Sequence, residues 1–176
     1  MAHVTFKKSR LIAPTNETPV SDKNLTELVY RSVTPEAMRP TDVRDLLHHA
    51  REKNARLGVT GLLCYDGREF LQIIEGQSGI ILDLFHQIQN DARHVSVEIL
   101  HDGDIDMRAF SDWKMAYESI PMNMLPTLGR SIAKASLAAA MKGETKMPVS
   151  AGQRIFDLFM DEIYGGEKSA ALPVPA

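Results

Sequence analysis

The hydrophobic pattern between residues 25 and 120 changes its spacing several times, and each change marks a new element. Alternation of apolar and polar residues predicts a first strand, Leu25 to Ser32, in which Leu28 and Tyr30 lie on the same face as Ser32. Spacings of three and four residues predict two helices. Their apolar stripes are Val43, Leu46, Leu47, Ala50 and Leu57 in the first, and Ile81, Leu84, Phe85 and Ile88 in the second.

The first helix is predicted to begin after Pro40, with Thr41 as its N-cap. Asn54 falls on the apolar stripe of this helix, so its amide is expected to face the interior. The second helix is predicted over about residues 78–92. Two helices with one apolar stripe each indicate a layer that packs on a sheet.

A hairpin is predicted between the two helices, because strand patterns over Val59–Tyr65 and Arg68–Glu75 flank the turn sequence Asp66-Gly67. A two-residue turn would place Gly61 opposite Gln72. A missing side chain beside a buried amide would leave room for a flat ligand.

Two further strands complete the pattern. One is predicted around Ser96–Leu100, and a loop rich in aspartate and glycine follows it. The other is predicted from Trp113 to Ser119, with Trp113, Met115 and Tyr117 on one face.

The element order is therefore βαββαββ, which predicts a ferredoxin-like α+β sandwich with an antiparallel-rich sheet and both helices on one face. Residues 121–165 are predicted to form a C-terminal helical extension that covers the other face. Residues 1–24 are predicted to be a flexible arm, residues 25–120 the folded domain, and residues 166–176 a disordered tail.

The composition and charge of the chain argue against several classes of function. The chain has 176 residues, a net charge of -3 and a pI of about 6.1, and it lacks the basic stripe that nucleic acid would require. No apolar run approaches the length of a membrane span. The one cysteine, Cys64, excludes an internal disulfide, fits a packing role and suits a reducing cytoplasm.

Enzyme motifs are missing from the sequence. His48 and His49 are adjacent and point to different faces of a helix, and the other histidines are scattered, so no metal site is predicted. There is no glycine-rich phosphate loop and no Gly-x-Ser-x-Gly nucleophile motif. These absences favour binding over catalysis.

Gln72 is the polar residue that most needs an explanation. Side chains alternate along a strand, so Gln72 shares the face of Phe70 and Ile74, which is expected to be buried. A buried amide without partners costs a few kcal/mol. Because an amide carries a donor and an acceptor on one rotatable group, a polar ligand that changes state is one candidate partner.

Four motifs over residues 25–120 resemble the BLUF domains, which are flavin-based blue-light sensors. They are Leu28-Val29-Tyr30-Arg31-Ser32, Asn54-Ala55-Arg56-Leu57-Gly58-Val59-Thr60-Gly61-Leu62-Leu63, Phe70-Leu71-Gln72 with Glu75-Gly76, and Phe110-Ser111-Asp112-Trp113-Lys114-Met115. The resemblance implies non-covalent binding of FAD, with FMN and riboflavin as alternatives. Lys53 departs from the family, where many members place an asparagine or a histidine.

The resemblance also implies residue roles. The photoactive residues are expected to be Tyr30, Gln72, Trp113 and Met115, with Asn54 contacting the flavin. Residues that are expected to complete the flavin site are Ser32, Leu46 and Ile88 around the ring and Arg93 and Lys53 on the phosphate side.

The mechanism that the resemblance implies starts with transfer of an electron and then a proton from Tyr30 to the excited flavin. Gln72 then rotates or tautomerises, and its new hydrogen bond to a flavin carbonyl shifts the absorption to the red. Output is expected through binding of a separate signalling protein. Apart from the resemblance, a homodimer through the tail or the sheet face is expected, because small domains with an amphipathic tail often pair. Two alternatives stay open, a flavin-dependent oxidoreductase and an interaction module without a cofactor.

Overall fold

The computed structural model describes residues 24–120 and, beyond them, the single residues Leu125, Met141, Ser150, Arg154 and Asp157. Within residues 24–120, seven elements follow one another in the predicted order βαββαββ. They are β1 (Leu25–Val33), α1 (Pro40–Leu57), β2 (Thr60–Tyr65), β3 (Glu69–Gln77), α2 (Ser78–Gln89), β4 (Val95–Ile105) and β5 (Ala116–Ser119).

The five strands form one mixed sheet in the order β4-β1-β3-β2-β5. β1 pairs antiparallel with β3 and β4, β2 pairs antiparallel with β3, and β5 runs parallel to β2. This arrangement confirms the predicted α+β, ferredoxin-like class.

The sheet separates two cores. On the face that carries α1 and α2, called the helix face, the sheet contributes Leu28, Tyr30, Leu63, Phe70 and Ile74, and the helices contribute Val43, Leu47, Ile81, Leu84 and Phe85. The other side, called the opposite face, contains Val29, Leu62, Cys64, Leu71, Ile73, Leu100, Phe110, Ile120 and Leu125.

The predicted cover of the opposite face lies almost wholly outside the described residues, as do the predicted N-terminal arm and C-terminal tail. Leu125 is the exception, because it has helical backbone geometry and is buried against the opposite face.

Helix α1 begins two residues earlier than its predicted N-cap implies. Arg39 is its N-cap and Pro40 its first residue, so the expectation of Thr41 as the N-cap is wrong. Proline fits this position because the first helical residue has no intrahelical use for its N–H group. Asp42 accepts a hydrogen bond from the Arg39 N–H at 3.2 Å, and Gly58 ends the helix in the left-handed conformation with φ 66°.

The hairpin register also differs from the prediction. Tyr65 pairs with Phe70, so Leu63 lies opposite Gln72, and Gly61 lies opposite Ile74. The turn is longer than two residues because the Asp66 carboxylate accepts hydrogen bonds from the backbone N–H groups of residues 68 and 69 at 3.0 and 2.7 Å. A Cβ at residue 61 would lie 2.0 Å from the Ile73 carbonyl oxygen. The glycine therefore allows β2 and β3 to approach closely, and it does not leave space for a ligand beside Gln72.

Among the other boundaries, three show the largest differences from the prediction. α2 ends at Gln89 rather than near residue 92. β4 continues to Ile105, because the segment predicted as a loop pairs with the start of β1. β5 begins at Ala116, so Trp113 and Met115 precede the strand rather than belonging to it.

Candidate functional site

Tyr30 and Gln72 lie directly opposite each other on β1 and β3. The Tyr30 hydroxyl donates a hydrogen bond to Gln72 Oε1, so the buried amide has the polar partner that it needs. Tyr30 is completely buried and Gln72 is 8% exposed. Burial, and secondarily the negative charge of Asp91, raises the pKa of Tyr30, so the phenol stays protonated and remains a donor.

The other end of the Gln72 side chain has a weaker partner. Its Nε2 atom donates to Met115 Sδ at 3.6 Å. A thioether sulfur is a weak acceptor compared with a carbonyl oxygen. The amide is therefore held strongly at its oxygen and weakly at its nitrogen, and a ligand carbonyl would be a better acceptor than Met115.

Asn54 is buried, as its position on the apolar stripe of α1 predicted. Its Nδ2 donates to the Lys114 carbonyl oxygen at 2.6 Å. One turn earlier on the helix, Arg51 Nε donates to the Met115 carbonyl oxygen at 3.0 Å. Both contacts join α1 to the segment that precedes β5.

Trp113 and Met115 lie on opposite sides of the sheet, so the prediction that they share a face is wrong. Met115 belongs to the helix-face core, next to Gln72. Trp113 is partly buried against the opposite-face core, with its ring 6.4 Å from that of Phe110. The backbone between the two residues is bent rather than extended.

Two rings beside Tyr30 add to the site. Phe85 packs edge-on to it at a centroid distance of 5.4 Å, and His94 lies at 6.4 Å. The His94 ring also contacts Phe70 at 5.2 Å, and its Nδ1 lies 2.8 Å from Ser32 Oγ, which accounts for Ser32 at the site. Burial lowers the pKa of His94, with a smaller contribution from Arg93, while Asp91 acts to raise it.

His94 and Arg51 are residues that the sequence reasoning missed. Arg51 lies three residues before Asn54, a spacing that places both on one helix face. His94 lies in the connection between α2 and β4, directly before the strand, and carries no comparable signal.

The predicted ring-sandwiching residues lie on the two helices. Leu46 of α1 and Ile88 of α2 are both half-buried against the helix-face core. Lys53 Nζ donates to Gln87 Oε1 at 2.6 Å, which links α1 to α2 near the surface.

Arg93 is exposed and forms an ion pair with Asp91 at 2.5 Å, which lowers the pKa of Asp91 to about 2. The structure thus groups Tyr30, Gln72 and Met115 tightly, with Asn54 fixed to the segment beside them. Arg93 and Lys53 remain at the periphery.

Within the described part of the chain, no group of three or more histidine, cysteine or acidic residues is placed to hold a metal ion. Nor does any helix in residues 24–120 have the length and apolar character of a membrane span.

Known proteins resemble this chain over the region that contains the site. Residues 25–116 match the family model BLUF, described as sensors of blue-light using FAD. The beta subunit of a photoactivated adenylate cyclase from Euglena longa is 33% identical over 95 residues, which is 53% of this chain and 11% of that protein. The blue light- and temperature-regulated antirepressor BluF of Escherichia coli K12 is 22% identical over 152 residues, 86% of this chain and 36% of that protein. The chain thus spans a small part of these relatives.

Solved structures agree with the sequence comparison. The dark-state structure of the BLUF protein BlrB has a TM-score of 0.54 and 31% identity, covering 69% of this chain and 91% of that one. The BLUF domain of BlrP1 has a TM-score of 0.56 and 29% identity, covering 87% of this chain and 98% of that one. Since the family match spans more than half of the 176 residues, the chain belongs to the BLUF family of flavin-based blue-light sensors.

Proposed function

We propose that Tyr30 and Gln72 are the photoactive pair of this sensor. The observation that carries the proposal is the unequal bonding of the Gln72 amide, with a phenol on its oxygen and a thioether on its nitrogen. A bound flavin supplies the absorption of blue light and an acceptor for one electron and one proton. Tyr30 is the donor of both, and its buried, protonated hydroxyl is suited to that role.

Gln72 converts the event at Tyr30 into a lasting change of hydrogen bonds. When Tyr30 loses and regains its proton, the bond to Gln72 Oε1 is broken and remade, which gives the amide an opportunity to rotate or to tautomerise. Either change alters what the Gln72 side chain presents to Met115 and to the site, and a new hydrogen bond from Gln72 to a bound flavin would shift the flavin absorption to the red.

The remaining site residues divide into ring and phosphate contacts. We assign Leu46 and Ile88 to the two faces of the ring, since both are apolar and half-buried on facing helices. Asn54 and Ser32 provide polar contacts at its edge. Buried amides and hydroxyls in an otherwise apolar slot are typical of cofactor sites.

Arg93 and Lys53 are assigned to the phosphate side because both are cationic and lie at the periphery of the site. Cations at this position favour a phosphorylated flavin, and the family description favours FAD over FMN or riboflavin. Binding would require Lys53 to leave Gln87, which is a cheap rearrangement of an exposed contact.

The output that we propose is light-dependent binding of a separate signalling protein in the cytoplasm, rather than catalysis. The relatives with a named enzymatic activity are much longer than the segment they share with this chain. The Escherichia coli relative is named an antirepressor, which is a binding function. We also propose a homodimer, because Ile155, Phe156, Phe159 and Ile163 recur at helical spacing in the C-terminal sequence.

The test is the colour and light response of the purified chain. We expect a yellow protein whose flavin absorption shifts reversibly to the red under blue light and returns in the dark. A colourless protein that takes up no added FAD would contradict the proposal and favour an interaction module. A yellow protein that a nicotinamide cofactor bleaches, and that lacks the reversible shift, would identify an oxidoreductase instead.

A further inference from the structure

The segment between β4 and β5 is held by three consecutive backbone carbonyls. The Trp113 oxygen accepts from the Gly61 N–H at 3.0 Å, the Lys114 oxygen from Asn54 Nδ2 at 2.6 Å, and the Met115 oxygen from Arg51 Nε at 3.0 Å. The first donor is on β2 and the other two are on α1. Three anchors on three successive residues fix the path of this backbone.

The fixed path is a bend, and the bend decides which side chain meets Gln72. In an extended strand, residues two positions apart face the same side of the sheet. Trp113 and Met115 instead face opposite sides, with Met115 on Gln72 and Trp113 against the opposite-face core. An extended alternative would require one of the two side chains to change sides.

Of the three donors, Arg51 is the one that bonds the residue whose side chain meets Gln72. It bonds the carbonyl of Met115 itself, immediately before β5 begins at Ala116. Its donor is charged and partly buried, so this bond is stronger than a neutral one. Gly61 and Asn54 hold the two preceding carbonyls, and Arg51 holds the carbonyl of residue 115 itself.

We propose that Arg51 is a positioning residue that keeps Met115, and not Trp113, beside Gln72. When Gln72 turns, Met115 Sδ loses its amide partner while the Met115 carbonyl stays bonded to Arg51. The loss of the Gln72 contact thereby moves the Met115 side chain and the start of β5 to a second defined position, and the backbone of this segment does not become disordered. This last step rests on the proposed function, whereas the positioning role does not.

The test compares Arg51→Met with Arg56→Met in the full chain, as purified and in the dark. Both substitutions remove one arginine from α1, but Arg56 is exposed. Trp113 is the single tryptophan, so its emission lifetimes report this segment without interference. Loss of a charged hydrogen bond is expected to raise the population of a second Trp113 environment roughly tenfold in Arg51→Met, with faster amide exchange over residues 113–119.

Arg56→Met should match the wild type in both measurements, and Arg51→Lys should restore part of the wild-type lifetime distribution because it keeps a charged donor. Under blue light, Arg51→Met should retain the red shift but lose the light-induced difference in amide exchange at β5. Wild-type Trp113 lifetimes and exchange in Arg51→Met would overturn the proposal. If Arg51→Met fails to fold, Arg51→Gln, which keeps a neutral donor, takes its place with the same expected directions. A missing red shift in the wild type would refute the proposed function and leave the dark-state test intact.

Discussion

Strands β1 and β3 bury two polar pairs in direct register, one on each face of the sheet. Tyr30 lies opposite Gln72 on the helix face, and Glu27 lies opposite Glu75 on the opposite face. Both glutamates are completely buried. The two pairs thus lie on the same two strands and differ in how their polar atoms are hydrogen-bonded.

Glu75 is bonded at both carboxylate oxygens by strong donors. Oε1 accepts from the Ala109 N–H at 2.7 Å, and Oε2 accepts from the Phe110 N–H and the Thr60 hydroxyl, both at 3.1 Å. Arg108 adds a bond to the Glu75 backbone carbonyl at 2.8 Å. Because every change of orientation would break several of these bonds, Glu75 serves as an anchor for the segment that leads to the bend before β5.

Gln72 has one strong partner and one weak partner, so a second orientation costs less. The contrast indicates that burial alone does not make a switch. A buried polar group with full bonding stabilises one structure, whereas a buried group with unequal bonding can exchange between two.

The largest effect that follows from the comparison is on stability. Glu75→Leu removes the carboxylate that accepts from the Ala109 and Phe110 N–H groups and from the Thr60 hydroxyl, and we expect it to lower the free energy of unfolding by about 2–4 kcal/mol. Gln72→Leu leaves only the Tyr30 hydroxyl to be satisfied and gains apolar contact, so we expect a loss of about 1 kcal/mol. Chemical denaturation in the dark measures both.

Glu98→Gln is the matched control, because the partly exposed ion pair of Glu98 with Arg31 is expected to contribute less than about 1 kcal/mol. If Gln72→Leu destabilised the protein as much as Glu75→Leu, Gln72 would be an anchor too, and the distinction between the two pairs would fail.

A smaller effect concerns pH, since each polar pair has a neighbouring histidine whose pKa burial lowers. His94 contacts Tyr30, and His101 Nε2 lies 3.9 Å from Glu27 Oε1. The unfolded chain takes up these protons more readily than the folded protein. Stability is therefore expected to fall as the pH decreases from about 6.5 towards the folded-state pKa values, by at most about 1.4 kcal/mol per pH unit for each histidine.

Denaturation midpoints of the wild type and of two histidine variants at a series of pH values would show how much each histidine contributes to the change of stability with pH. We expect His94→Asn to remove more of it than His101→Asn, because the charge of Arg93 offsets part of the pKa-raising effect of Asp91 at His94, whereas at His101 the charge of Asp102 acts only to raise the pKa. A larger loss of pH dependence in His101→Asn would instead show that burial disfavours the protonated form more strongly at His101 than at His94.

Flavin itself is expected to have the smallest effect, namely none, on the opposite face, where Cys64 is buried in the apolar core. Burial, with a smaller contribution from the charge of Glu118, raises the pKa of the Cys64 thiol to about 12. Reaction with a thiol reagent at pH 8 should be slower than in the unfolded chain by a factor on the order of 1000. Adding flavin should leave that rate unchanged, and a flavin-dependent rate would place the ligand on the wrong face.

The features of the fold that depend on local periodicity could be predicted from the sequence. Alternation along the strands placed Tyr30 and Gln72 on one face, and helical spacing placed Asn54 toward the interior, as the structure confirms. These results follow from backbone geometry that each segment adopts by itself. The order of the elements, and with it the fold class, followed from the same patterns.

The errors arose where hydrogen bonds from side chains, local or distant in sequence, set the backbone. The hairpin register depends on the Asp66 carboxylate, which lengthens the turn. The separation of Trp113 from Met115 depends on Asn54 and Arg51, which lie about sixty residues earlier. No alternation pattern near residues 113–119 carries that information.

The most direct test of the account is the light-minus-dark absorption spectrum of flavin-bound wild type, Tyr30→Phe and Gln72→Leu. Tyr30→Phe removes the proton donor and Gln72→Leu removes the rotatable amide, while both keep the apolar volume of the helix-face core. We predict a reversible red shift in the wild type and no shift in either variant, with flavin still bound. A normal red shift in Gln72→Leu would contradict the central claim that the Gln72 amide is the group whose hydrogen bonds change.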